Sequence, residues 1–366
     1  MAGIYVHIPF CHAKCAYCDF YSRAGAALAD GFIGALAREF DNRRHELASL
    51  SVDTIYLGGG TPSILSPAQF GRVAAIFSSF SPSEFTIEAN PEDIDGPRLE
   101  AWRQAGVNRI SMGVQSMVDS ELLTVGRRHS ARQAVEAVQT IRRAGFTNIS
   151  LDLIYGLPDQ TLDSWQYSLD ALLALRPEHL SAYCLTIEPR TVLGVKLRRG
   201  EITEASDEDI ALRYDALCRT ARSHGYDHYE ISNFALPSYR SRHNSAYWTS
   251  TPYLGLGPGA HSLGADGCRR YVESDIRRYI TDPATCLHID PETATEKVND
   301  IIFTTLRTSR GLDINDIPAV YRREVDKEAL RLVGQGRLAR KDSVYYIEEK
   351  DWLTSDAVIR DLLVCD

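Results

Sequence analysis

"IYVHIPFCHAKCAYCDF", residues 4–20, runs from a β-branched and aromatic stretch into three cysteines at positions 11, 15 and 18. Residues 4–9 read as a strand, and the C-x3-C-x2-C spacing then places three thiols within eight residues of loop. Soft sulfur ligands at this spacing converge on one metal centre and select an iron–sulfur cluster, zinc or copper(I). A four-iron cluster ordinarily takes four cysteines, so three leave one iron with a position for a ligand that is not protein. Structural zinc requires a fourth protein ligand, which His12 or His7 would have to supply. The remaining cysteines, Cys184, Cys218, Cys268, Cys286 and Cys365, are scattered, and eight in 366 residues are too sparse for a disulfide scaffold. They read as small, half-buried hydrophobes.

Downstream, short β-rich runs alternate with amphipathic stretches, the signature of repeated βα units around a parallel sheet. Strands are predicted at 4–9, 54–60, 85–91, 109–115, 149–156 and 180–187, with helices near 67–79, 97–105, 131–144, 161–174 and 207–223, several opened by Ser, Asp or Pro. Leu28, Phe32, Leu36 and Phe40 recur every fourth residue, giving an apolar stripe on a helix whose other side carries Arg38, Asp41 and Arg43. The fold class is α/β: six units forming an incomplete (β/α)6 barrel over residues 1–235, with the site at the C-terminal ends of the strands. Residues 236–294 loosen into an aromatic, Gly-rich connecting segment, "SYRSRHNSAYWTSTPYLGLGPGAHS", of the kind that carries binding functions. Residues 295–366 read as helices with a small hairpin, a winged-helix-like domain.

With 44% apolar and 24% charged residues, the chain is an ordinary globular protein. A formal net charge of −9 argues against nucleic acid as partner, and the C-terminal module is not enriched in basic residues. No apolar run is long enough for a membrane span, and the N-terminus lacks the pattern of an export signal, so the expectation is a cytoplasmic protein without stable membrane insertion.

Several strand ends carry residues suited to one ligand site. "GGGTP" at 58–62 follows a strand, and Gly58, Gly59 and Gly60 let backbone groups approach a charged ligand closely. Glu88 in "IEANP" can accept two hydrogen bonds from ribose hydroxyls. Gln115 in "SMGVQS", Arg127 in "VGRRH" and Asp152 in "LDLIYGLP" stand at the same edge.

The cysteine spacing directly after a first barrel strand resembles the signature of the radical S-adenosylmethionine (SAM) superfamily. That resemblance implies that Cys11, Cys15 and Cys18 hold a 4Fe–4S cluster whose open iron is chelated by SAM. "IYVHIPFC", "GGGTPS", "NRISMGVQS", "DLIYGLP" and "GLGPGAHS" together resemble the oxygen-independent coproporphyrinogen III oxidase-like family over nearly the whole chain. On that resemblance Tyr5, Gly59, Gly60, Thr61, Glu88, Gln115, Arg127 and Asp152 match positions that hold one or two SAM molecules, and Tyr17 lines the same pocket.

Within this family the oxidases carry an extra N-terminal segment and continue the motif as C-x-C. Here the strand begins near residue 4 and position 20 is Phe20. Both features, with "HNSAYW" at 243–248, resemble the heme-chaperone branch, so heme and acceptor hemoproteins are the implied partners, and coproporphyrinogen III dehydrogenase activity is not expected. Turnover of SAM, homodimerisation and transient membrane contact are left open. A neutral imidazole is a good axial ligand to heme iron. In this segment His243 offers the nitrogen, Tyr247 and Trp248 the rings, and Arg240 or Arg242 the charges for propionates; His261 in "GPGAHS" is the weaker candidate. The alternatives are oxidative decarboxylation of coproporphyrinogen III and two-SAM radical methyl transfer.

Overall fold

The computed structural model describes residues 1–47 and 50–365. In β1 (Ala2–Ile8) the period-2 alternation sends Ile4, Val6 and Ile8 to one face, where all three are completely buried. Gly3, Tyr5 and His7 take the other face. The same division recurs in β2 (Val52–Gly59), β3 (Glu84–Ala89), β4 (Arg109–Gln115), β5 (Ile149–Tyr155) and β6 (His179–Cys184). Each is parallel to its neighbour, in chain order from β1 to β6. Their apolar faces, including Ile55, Leu57, Ile87, Ile110, Met112, Leu151 and Leu180, form one core with the covering helices. Each fully buried Leu, Ile or Met there contributes roughly 1.5–3 kcal/mol. The opposite faces are polar and line the inside of the barrel.

Helices α1 (Ala29–Arg43), α2 (Pro67–Ile76), α3 (Gly96–Gln104), α4 (Ala131–Arg143) and α5 (Leu162–Leu173) alternate with the strands, and α6 (Asp207–Ser223) follows β6. Capping boxes start α2 (Ser66 with Gln69), α4 (Ser130 with Gln133) and α5 (Thr161 with Ser164), which fixes where each helix begins. Phe32, Leu36 and Phe40 of the α1 stripe are buried, and Arg38 and Asp41 face solvent as expected. Arg43 departs from that expectation, being only 4% exposed. Its guanidinium donates to Glu39 Oε1 (2.8 Å), the Gly255 carbonyl (2.9 Å) and Ser262 Oγ (3.0 Å). The end of α1 is covered by a part of the sheet that the local pattern does not reveal, and Glu39 supplies the countercharge.

That covering part lies in residues 236–294, where an irregular connecting segment was expected. The segment holds α7 (Arg242–Trp248) and strands β9 (Tyr253–Leu256), β10 (His261–Leu263), β11 (Arg269–Val272) and β12 (Leu287–Asp290). β9 lies parallel to β1, pairing Tyr5 with Gly255, and β10 to β12 continue antiparallel. On the other edge, β7 (Asp227–Glu230) and β8 (Asn233–Ala235) extend β6 antiparallel. The sheet thus runs β12-β11-β10-β9-β1-β2-β3-β4-β5-β6-β8-β7, and its two end strands do not pair with one another, so the barrel is open.

The C-terminal part has α8 (Ala294–Thr305), α9 (Ala319–Gly334) and α10 (Ser355–Leu362) with a three-stranded sheet of β13 (Leu312–Asp313), β14 (Ala339–Lys341) and β15 (Val344–Tyr346). Val298, Ile302, Leu332, Tyr345 and Ile359 are buried there and join the main core. Among the described residues no helix is long and apolar enough to cross a membrane.

Candidate functional site

At the C-terminal ends of β1 to β6 lies a cavity of about 410 Å3, a size suited to one ligand of drug-like dimensions. Its mouth is the loop after β1, where Cys11, Cys15 and Cys18 all reach the wall. Backbone bonds hold that loop in place: Ala16 N–H to the Val125 carbonyl (2.9 Å), Leu193 N–H to the Ala16 carbonyl (2.9 Å) and Gly25 N–H to the Cys11 carbonyl (2.8 Å). All three cysteines are free thiols. They do not all lie within 4.8 Å of one another, as the ligands of a single ion would. His12 is bound to Asp93 (2.6 Å), and His7 to Tyr5 and the Tyr21 carbonyl (3.1 and 2.8 Å). Neither histidine joins the thiols as a fourth ligand, so a zinc knuckle does not fit, while a cluster held by three thiols with one open iron does.

Charge near the loop suits thiolates. The Arg127 guanidinium lies 3.6 Å from Cys15 Sγ and is held by Asn90 Oδ1 (2.7 Å) and the Gly113 carbonyl (2.5 Å). Burial, with Cys15 and Cys11 nearby, pushes the Cys18 thiol up against the Phe20 backbone hydrogen bond, a balance that a bound metal would reverse. Burial likewise raises Tyr17, which lines the cavity beside them.

The glycine stretch also has a packing role. A Cβ on Gly58 would meet Tyr56 and Glu88, one on Gly59 (φ +104°) would strike the His7 ring at 2.6 Å, and one on Gly60 would meet the Phe10 carbonyl at 2.5 Å. These positions need glycine so that the cluster loop and the inward side chains can pack against β2. Gly59, Gly60 and Thr61 line the cavity, and Gly58 sits behind them. Two bonds clamp the turn to the loop: Gly60 N–H to the Ile8 carbonyl (2.9 Å) and Thr61 N–H to the Phe10 carbonyl (2.6 Å).

Deeper in the cavity, Glu88 accepts from Tyr56 OH (2.8 Å) and Gly59 N–H (3.1 Å), which leaves further lone pairs on its two oxygens for a ligand. Burial pushes its carboxyl up to about 7 against the Tyr56 hydrogen bond. Asp152 stands among Ser181, Ser111 and Ser150 and is pushed up by burial to about 6. A carboxyl whose folded pKa is raised contributes stability at low pH that is lost as the pH rises through that value. The metal-free chain is therefore expected to lose thermal stability between about pH 4 and 7, and Glu88→Gln to flatten that fall. An unchanged slope in Glu88→Gln would refute the assignment.

Gln115 ends β4 at positive φ (70°), beside a register shift against β5, and also reaches the cavity. Of the expected site residues, Tyr5 and His243 lie elsewhere. Tyr5 is inside the barrel one layer below the cavity, its ring 6.2 Å from that of Tyr56. His243 sits lower still and is 1% exposed. Its Nδ1 pairs with Thr54 Oγ1 (2.8 Å), its Nε2 with Tyr247 OH (2.9 Å), and Glu84 accepts its backbone N–H (3.0 Å). Gly3 leaves room for the ring, and burial lowers its pKa to about 3. His243, expected as the heme ligand, thus has both ring nitrogens engaged in the floor of the barrel, on the side away from the cluster. Arg240 and Arg242 face Asp227 and Asp53 (3.6 and 3.4 Å) rather than a free anion site.

Sequence reading missed Asn90, which bridges Arg127 and Thr61, and the cavity-lining Tyr56, Ser111, Ser181, Tyr183 and Asn244. The signal was there for those in strands: R-x-S-x-G, S-x-D and H-x-S-x-Y are alternations that place polar groups on one strand face.

Comparison with known proteins agrees with this geometry. The profile of the Radical SAM superfamily matches residues 5–172. The chain is 33% identical to "Heme chaperone HemW" of Bacillus subtilis over 98% of both chains. It is 40% identical to the Escherichia coli protein of the same name, over 71% of this chain and 69% of that one. The solved structure of coproporphyrinogen III oxidase (HemN) from Escherichia coli superposes with a TM-score of 0.84 over 99% of this chain and 90% of the other, at 24% identity, so the two share a fold. A loop of three thiols with an open side, a polar barrel behind it and end-to-end likeness at this level lead to one conclusion: the chain belongs to the HemW family of the radical SAM superfamily.

Proposed function

We propose that this protein binds heme and passes it to heme-requiring proteins, on a scaffold that holds a 4Fe–4S cluster through Cys11, Cys15 and Cys18 and SAM in the adjoining cavity. The observation that carries the reading is the 33% identity to a heme chaperone along 98% of both chains, C-terminal module included. Phe20, 70% exposed and on the cavity wall, stands where the resembling oxidases place a further cysteine. SAM bound there supplies chelation of the open iron and a cleavable sulfonium. Arg127 neutralises charge at the thiolates, while Glu88 and Asp152 offer acceptors to hydroxyl groups.

For heme iron the free imidazole is that of His261. Of the ten histidines it is the one with neither ring nitrogen engaged in a hydrogen bond or ion pair among the described residues, and it is exposed. It heads a row of rings across three paired strands, His261 to Tyr271 (6.0 Å between centroids) and Tyr271 to His288 (5.1 Å, 24° between planes). Such a row gives a flat macrocycle an aromatic surface. Anaerobic titration of the cluster-loaded protein with heme is expected to give a saturable Soret band, shifted or weakened in His261→Ala. No band in the wild type would end the carrier reading. An identical band in His261→Ala would end the ligand assignment alone.

A further inference from the structure

Away from the cavity, three side chains of different chemistry converge where the barrel meets the C-terminal part. Cys218 is on α6, His228 on β7, and Glu349 opens the 3-10 turn Glu349–Thr354 before α10. His228 Nδ1 lies 2.9 Å from Glu349 Oε1 and 3.9 Å from Cys218 Sγ. One ligand atom from each falls within 4.8 Å of the others, and no second such group of His, Cys, Asp and Glu occurs among the described residues. Tetrahedral zinc with bonds of about 2.0–2.3 Å separates its ligands by about 3.2–3.8 Å, so side-chain adjustments of about an ångström or less would admit the ion.

The outer atoms of these ligands are also partnered as metal ligands usually are. His228 Nε2 faces the Ile231 carbonyl at 3.4 Å, leaving Nδ1 for the site. Glu349 Oε2 accepts from Arg222 (2.8 Å). The imidazole is fixed between rings, stacked on Phe234 (4.0 Å, 13°) and edge-on to Trp352 (4.4 Å). Burial and the Glu349 carboxylate push the Cys218 thiol up to about 12, an environment that a divalent cation would reverse. The Glu349 side chain is 36% exposed and gives an ion its way in.

We propose that Cys218, His228 and Glu349 bind one divalent transition-metal ion of the zinc class, with water as fourth ligand, clamping the barrel to the C-terminal part. On binding, the S–H bond of Cys218 breaks, its proton passes to solvent and an S–metal bond forms, with no change of oxidation state. The simpler arrangement, a His228–Glu349 ion pair with the thiol as bystander, is the competing outcome.

The test uses the full-length, cluster-loaded protein exposed to zinc and freed of excess by gel filtration. The expected result is one retained zinc per chain with a raised Tm, both absent in Cys218→Ser. No retained zinc in the wild type, or the same zinc content in Cys218→Ser, would overturn the proposal. Cobalt(II) gives a second readout in the Cys11→Ser/Cys15→Ser/Cys18→Ser background, where the cluster cannot mask the spectrum. A thiolate-to-cobalt absorption there, lost on adding Cys218→Ser and weakened at least tenfold in affinity by Glu349→Gln, supports the site; its absence from natively folded protein counts against it.

Discussion

Cys15→Ala abolishes the visible absorption of the reconstituted 4Fe–4S cluster and its bound iron, while leaving the chain folded. The three thiols are the whole protein ligand set at the loop, since His7 and His12 are bound to Tyr5, Tyr21 and Asp93. Two thiols leave two irons without protein ligands, and such a cluster does not persist. The fold survives because the loop is tied down by backbone bonds independent of any sulfur, from Ala16 to Val125, Leu193 to Ala16 and Gly25 to Cys11. Cys15 itself is half-buried, so truncation costs about 1 kcal/mol or less, the range of substitutions that remove no core packing. Iron and sulfide analysis beside a thermal melt separates the two effects. Retention of a full cluster by Cys15→Ala would contradict the ligand assignment.

His243→Ala is expected to cost about 3–5 kcal/mol of stability, from the emptied volume and the polar partners left unpaired. The ring fills the barrel floor under Tyr56, 5.0 Å between centroids, and joins α7 to β2 through Thr54. Removing it orphans Thr54 Oγ1 and Tyr247 OH in a region from which solvent is excluded. Denaturant melts measure the loss. Heme titration of the folded fraction should be unchanged, because the ring is not presented to solvent. A variant of wild-type stability that loses its heme spectrum would restore His243 as the ligand.

The first strand, the cluster loop and the six βα units were legible because their signals are local. Apolar alternation marks β1 to β6, Ser or Thr capping boxes mark three helix starts, and the thiol spacing lies within eight residues. What escaped depends on contacts distant in the chain. Arg43 reads as a surface cation until β9 and β10 cover it, and the backbone of Gly255, some two hundred residues away, becomes its partner. β9 to β12 are strands of three or four residues of mixed composition, too short to show a period, and pairing makes them strands: β9 on β1, then β10 to β12 each on the strand before. His243 looked available because "HNSAYW" reads as an exposed aromatic stretch. The helix it forms turns that histidine inward, onto Thr54 and Tyr247. The acceptors of the cavity were half visible: Glu88 and Asp152 were picked out singly, whereas Ser111, Ser181 and Tyr183 belong to the same inward-facing rows.

Heme handover separates a carrier from an oxidase. The cluster-loaded protein is charged with heme anaerobically and mixed with an apo-hemoprotein acceptor, and in parallel it is reduced with SAM in the presence of coproporphyrinogen III. The expected result is transfer of the Soret absorption to the acceptor and no conversion of propionates to vinyls. Vinyl product, or heme that fails to bind or never leaves the protein, would contradict it.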